Sequence, residues 1–174
     1  NLVNQEGELE YEHLCWDPVI FLVQSAHPCC RYARYRDTFY HPWIDLREFE
    51  QEIFILQHQG QSLRQYSDQL LEEAGLSPQR ITQIRNIETA AQMAANGLGV
   101  SFCLESYFRH MMFIQPPYRF SVGERQLAAD FSAAYRRGRQ LPEYTVQFIH
   151  LLKNLMEMEV GRMVEMDKSV NKNL

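Results

Sequence analysis

Residues 53–104 constrain the fold most, because one pattern occurs there twice: a short apolar run, a polar turn, then an amphipathic helix closed by glycine. The run IFIL at residues 53–56 is too short for a helix and apolar throughout, as suits a strand covered on both faces. A polar loop follows, Gln57-His58-Gln59-Gly60-Gln61. Ser62 with Gln65 then forms a capping signature, and Leu63, Tyr66, Leu70, Leu71 and Ala74 recur at helical spacing until Gly75 and Pro78 stop the helix. Residues 80–84 read as the next strand. Asn86 can cap a second helix, whose Ile87, Ala90, Ala91, Ala94 and Ala95 share a face and which ends at Asn96-Gly97. VSFCL at residues 100–104 supplies a further strand. Strands alternating with helices predict an α/β sheet with largely parallel neighbours and right-handed crossovers.

The flanks carry weaker signals. Residues 19–23 (VIFLV) read as a buried strand closed by His27 and Pro28, and residues 29–43, crowded with Arg and Tyr and without a period, read as a loop. Asp45 with Glu48 is a capping-box pattern opening a short helix that bears Leu46 and Phe49. Past Pro116, residues 118–122 and 127–135 read as extended. Pro142 opens a long helix carrying Val146, Ile149, Leu152 and Met156, whose polar end at residues 168–174 is expected to fray.

Composition narrows the function. With 174 residues, 45% of them hydrophobic, the chain can bury a core, and its net charge of −5 lacks the basic surplus that tracks a phosphate backbone. No apolar run approaches the roughly 20 residues of a membrane span, and the start lacks the order of a signal peptide. The expectation is a soluble cytoplasmic chain with no membrane partner. Cys15, Cys29, Cys30 and Cys103 match neither a zinc pattern nor a secreted disulfide framework. Reduced thiols are expected, with metal or redox sensing at Cys29-Cys30 beside His27 as the alternative. His41, His58, His110 and His150 show no ligand spacing, so no metal site is expected. There is no GxSxG elbow, HExxH helix or phosphate loop with its lysine, so neither an enzyme nor a cofactor is expected. Glu72-Glu73 reads as a solvated helix face. Arg31-Tyr32, Arg34-Tyr35 and Tyr135-Arg136-Arg137 read as ion pairs and a subunit surface rather than a nucleic-acid stacking platform.

Taken in order, Phe54-Ile55-Leu56, Leu63-Arg64, Leu71, Gly75-Leu76, Pro78, Asn86-Ile87-Glu88-Thr89 and Gly97-Leu98-Gly99-Val100 resemble the effector domain of LysR-type transcription regulators. The likeness continues upstream through Leu14 and from Val19 to Pro28, and downstream through Arg139-Gln140-Leu141-Pro142 to Phe148-Ile149. The resemblance implies an α/β fold like that of type 2 periplasmic binding proteins, with two Rossmann-like lobes, a two-stranded hinge and a cleft between the lobes. On that template residues 19–126 form the second lobe, while residues 1–18 and 127–174 belong to an incomplete first lobe. The winged helix-turn-helix DNA-binding domain of such regulators is absent from this chain.

Ligands of open α/β sheets gather beyond the carboxyl ends of strands, where helix N-termini offer free N–H groups. Two such ends nominate residues. Gln57, His58, Gln61 and Ser62 can donate hydrogen bonds to a carboxylate or sulfate-like anion, although Ser62 can equally be a plain cap and the glutamines solvated. Asn86 and Ile87 start the second helix, and Phe102 can face a ligand or the core. The function these readings imply is effector sensing: a small, anionic ligand alters lobe arrangement, and a homodimer or tetramer relays it to DNA-binding heads. The alternative is a type 2 solute-binding protein of a transporter, against which the lack of an export signal counts.

Overall fold

The computed structural model describes the backbone of residues 8–170 and the side chains of residues 8–156. The chain passes from one compact unit into another after Asp17 and returns after Ala128.

The larger unit, Pro18–Ala128, is built on strands β1 (Leu9–Val23), β2 (Phe54–Leu56), β3 (Ile81–Gln83), β4 (Val100–Leu104) and β5 (Tyr118–Phe120), in the order β3-β2-β4-β1-β5. Helix α1 (Ser62–Glu73) joins β2 to β3 and α2 (Ile87–Ala95) joins β3 to β4, and β2 pairs parallel with both β3 and β4. Both strand–helix repeats thus form where the pattern places them. The expectation of largely parallel neighbours needs correcting at β1, which runs antiparallel to β4 and to β5. A strand–helix–strand crossover forces a parallel pair. No such helix connects β1 to β4 or β5 to β1, so either direction was open.

Both helices end in the same motif. Gly75, at φ +66°, donates its N–H to Glu72 O, and Leu76 donates to Leu71 O at 2.8 Å; Gly97 and Leu98 repeat this on Ala94 and Met93. The left-handed glycine satisfies carbonyls that the helix leaves unpaired, and the leucine after Gly75 returns to the core.

The apolar runs are continuous because their strands are covered on both faces. Val19, Phe21 and Val23 of β1 enter one cluster with Phe49, Phe54, Leu63, Leu70 and Phe102, while Ile20 and Leu22 meet Ala91, Ala94 and Cys103 on the other side. Alanine at the contact lets α2 approach the sheet closely. Burying each of these phenylalanines contributes about 2 kcal/mol by area.

Two local expectations change. Residues 29–43 are not wholly irregular: a 3-10 turn spans Pro28–Tyr32, and Arg34 bridges Trp43. Asp45 does cap, but it accepts from Arg47 N, and the element is a single 3-10 turn, Leu46–Phe49. In that geometry residues three apart eclipse, which turns both Leu46 and Phe49 inward.

In the smaller unit, β6 (Ala128–Arg136) pairs with β1, and Arg137 N bonds to Glu8 O. His13 Nδ1 lies 2.7 Å from Asp130 Oδ1, a hydrogen bond that holds the Asp130 carboxyl below its usual range. Strand β1 therefore begins ten residues before the apolar run that announces it. Helix α4 (Glu143–Val170) follows Pro142, whose carbonyl accepts from Thr145 and Val146, and it buries Ile149. Its backbone is helical to Val170; residues 171–174, most of the end expected to fray, lie outside the described residues. Among the described residues no helix is long and apolar enough to cross a membrane.

Candidate functional site

Apart from Phe102, which lies within β4, the nominated residues occupy the turns and helix starts beyond β2 and β3, and they divide into two groups. Gln57 is fully buried; its side-chain amide has no hydrogen bond among the described residues, and its carbonyl accepts from Arg64 at 3.0 Å. Phe102 sits in the core at 1% exposure, its ring centroid 5.1 Å from that of Phe21. Both side chains are packed against protein. His58, Gln61, Ser62, Asn86 and Ile87 are at least partly accessible.

The capping role expected of Ser62 belongs to its neighbour's position. Gln61, at φ −84° and ψ 142°, is the residue before the helix, and Ser62 is the first helical residue, with no side-chain cap bond. An extended backbone at the boundary defines the cap, and here the chain turns helical one residue earlier than the Ser-Gln signature implies. Gln61 instead ties two turns together: its Oε1 accepts from His58 N at 3.1 Å and its Nε2 donates to Arg85 O at 3.1 Å. Asn86 does cap α2, accepting from Thr89 N at 2.8 Å. Asn86→Ala is expected to cost about 1 kcal/mol, read as a lower urea midpoint with an unchanged slope; an unchanged midpoint would show that the cap contributes nothing.

An open pocket of about 350 Å³ lies at these helix starts, lined by Gln61, Arg85, Asn86, Ile87, Glu88, Tyr107, His110 and Met111. Three of the nominated residues meet there: Gln61, Asn86 and Ile87. His58, Ser62, Gln57 and Phe102 are not part of its lining. Tyr107 belongs to α3 (Glu105–Arg109), and His110 and Met111 follow it. Sequence reasoning passed over this wall, since five residues show no period. The signal was nonetheless available: α3 begins at the carboxyl end of β4, where the same ligand rule applies.

The pocket's charges are mixed. Arg85 and Glu88 make no ion pair among the described residues. His110 donates Nδ1–H to Ser106 O at 2.8 Å, which leaves Nε2 facing other partners. Ile87 and Met111 supply apolar surface. A second cavity of about 460 Å³, between the end of α1 and β3, contains Asp68, Glu72 and Ile81 but none of the nominated residues.

Beneath α3 lies a buried charge cluster that sequence spacing did not reveal. Glu105, 2% exposed, bonds His41 Nε2 at 2.8 Å and Arg119 at 2.7 Å, with Arg109 at 3.4 Å. Burial pushes the Glu105 carboxyl up, but the His41 hydrogen bond and the charges of His41, Arg119 and Arg109 outweigh it and hold it below the usual glutamate value. The cluster fixes the first turn of the helix that carries Tyr107.

Cys29 and Cys30 are partly buried thiols donating to backbone carbonyls of Glu48 and Gln24. Burial raises both, Cys30 to about 11, so neither is a ready thiolate. Among the described residues no three His, Cys, Asp or Glu side chains are grouped to hold a metal.

A search of curated proteins finds no match. Among solved structures, the regulatory domain of Synechocystis PCC6803 CcmR in complex with 2-PG is similar at 18% identity and TM-score 0.69, covering 87% of this chain and 68% of that one. The BenM effector binding domain with benzoate is similar at 14% identity and TM-score 0.69, covering 90% and 67%. The Corynebacterium glutamicum OxyR C206 mutant is similar at 17% identity and TM-score 0.70, covering 98% of this chain but 49% of that one. At these identities the likeness establishes a shared fold, the α/β fold of type 2 periplasmic binding proteins. Residues 2–157 match the model of the LysR substrate binding domain, and the chain belongs to that family.

Proposed function

We propose that this chain is the effector-sensing part of a LysR-type transcription regulator, and that its larger unit holds a small organic ligand in the pocket at the start of α2. One observation carries the reading: two separate strand–helix turns and α3 bring Gln61, Arg85, Asn86, Ile87 and His110 to one pocket. The similar structures of CcmR, BenM and QuiR contain 2-PG, benzoate and shikimate respectively, all small ligands. Residues 19–126 would act as the second lobe. DNA contact would come from a winged helix-turn-helix elsewhere in the full regulator, relayed through a dimer or tetramer. A ligand shifts such an equilibrium only by its difference in affinity between the states.

Ile87→Trp tests the pocket by filling it. Wild-type protein is expected to gain thermal stability from members of a panel of organic acids and amino acids, and the variant to lose that gain, each measured against its own ligand-free melting temperature because Ile87 also packs on the core. Equal ligand-induced shifts in both proteins would place binding elsewhere.

A further inference from the structure

The pocket at the start of α2 carries opposite charges that its own residues leave uncompensated, and this bears on what it accepts. Arg85 precedes the helix cap and Glu88 follows it within the first turn; both are exposed and neither has an ion pair among the described residues. A ligand bearing only a carboxylate would satisfy Arg85 while setting its charge beside Glu88. A ligand bearing only an amine would meet the converse conflict with Arg85 and with the N-terminal end of α2. A molecule with both groups a few bonds apart satisfies each side. The remaining lining includes the apolar Ile87 and Met111 and the ring of Tyr107. An aliphatic, thioether or aromatic body suits such surfaces. His110, with Nδ1 committed to Ser106, adds an Nε2 that accepts an ammonium N–H when the ring is neutral.

We infer that the ligand class of this pocket is the zwitterionic α-amino acid with an apolar side chain: carboxylate on Arg85, ammonium on Glu88 and His110, side chain against Ile87, Tyr107 and Met111. This rests on the sensing role proposed above and narrows the small anionic ligand expected from sequence to one that carries an ammonium beside its carboxylate. Glutamate in the first turn also favours the helix dipole without any ligand, so the charge pattern must be tested by subtraction.

Titration calorimetry on the 174-residue chain supplies the test, with L-leucine, L-methionine and L-phenylalanine, their des-amino acids and their des-carboxy amines as probes. At least one amino acid is expected to bind about tenfold more tightly than both of its analogues, equivalent to about 1.4 kcal/mol. Glu88→Gln should bring that amino acid down to the level of its des-amino analogue without weakening the analogue. Arg85→Gln should bring it down to the level of the amine. Both side chains are exposed, so the variants' circular dichroism should match wild type, with only the small fall in melting temperature that losing Glu88 from the first turn of α2 implies. Equal affinity for amino acid and des-amino acid, with Ile87→Trp abolishing both, overturns the zwitterion assignment and leaves the sensing pocket standing. Binding by no amino acid overturns the assignment as well. Amino-acid binding undiminished in Ile87→Trp overturns the pocket and the ligand class together.

Discussion

Gly99→Ala is expected to cost about 4 kcal/mol, the sum of about 2 for a non-glycine residue in forbidden backbone space and about 2 for overpacking. Gly99 has φ +151°, and a Cβ there would collide with the backbone oxygen of Ile53. That oxygen cannot retreat cheaply, because it accepts the Val100 N–H at 2.8 Å where β4 runs beside β2. Domains of this size are commonly stable by only about 5–15 kcal/mol. Urea unfolding should therefore show a midpoint lowered severely, with little soluble protein. Gly97→Ala is the control. Its Cβ would meet only the end of the Gln24 side chain, at 2.7 Å, which can turn away, so the cost should reduce to about 1 kcal/mol of left-handed strain. Equal costs for the two variants would show that the close approach to Ile53 has no energetic weight.

Glu105→Ala should cost about 3 kcal/mol, since it takes the shared acceptor out of a largely buried ionic cluster. His41 is 5% exposed and would lose a 2.8 Å bond inside the protein. The pH dependence has a definite sign. The folded-state pKa of Glu105 is lowered from 4.5, so its contribution is complete above that value and is lost as the pH falls through the lower, folded value. Asp45, held down by its hydrogen bond from Arg47, and Asp130, held down by His13, act in the same direction from more exposed positions. Melting temperature should accordingly fall with acidification below about 4.5 in the wild type, and fall less steeply in Glu105→Gln. Parallel acid slopes for the two proteins would remove Glu105 from the account.

Legibility in the sequence followed how local each cause is. VIFLV announces a strand because burial on both faces leaves no polar residue in the run; VSFCL does so with one small polar residue, Ser101, whose hydroxyl is satisfied by Ile55 O; and Asn86 announces α2 through a cap bond spanning three residues. The first half of β1 gave no such sign, since Glu10 and Glu12 interleave with its apolar residues where the strand is only half covered. Strand direction was hidden for a different reason. It depends on pairing between Phe21 and Phe102, far apart in the chain. At the site, helix starts pointed to Gln61, Asn86 and Ile87, but side-chain direction at a strand end is not written in residue type, and Gln57 and Phe102 turn into the interior. The His41–Glu105 pair, 64 residues apart, has no pattern to read.

The amide of Gln61 reaches His58 N with its oxygen and Arg85 O with its nitrogen, and this restricts the chemical alphabet of position 61. Glutamate matches the length but has no donor when ionised; methionine matches the shape with neither strong acceptor nor donor; asparagine has both groups on a stem one methylene shorter. Lysine supplies the donor alone. The joint between the two turns therefore specifies length, donor and acceptor at once, and among the common side chains only glutamine meets all three.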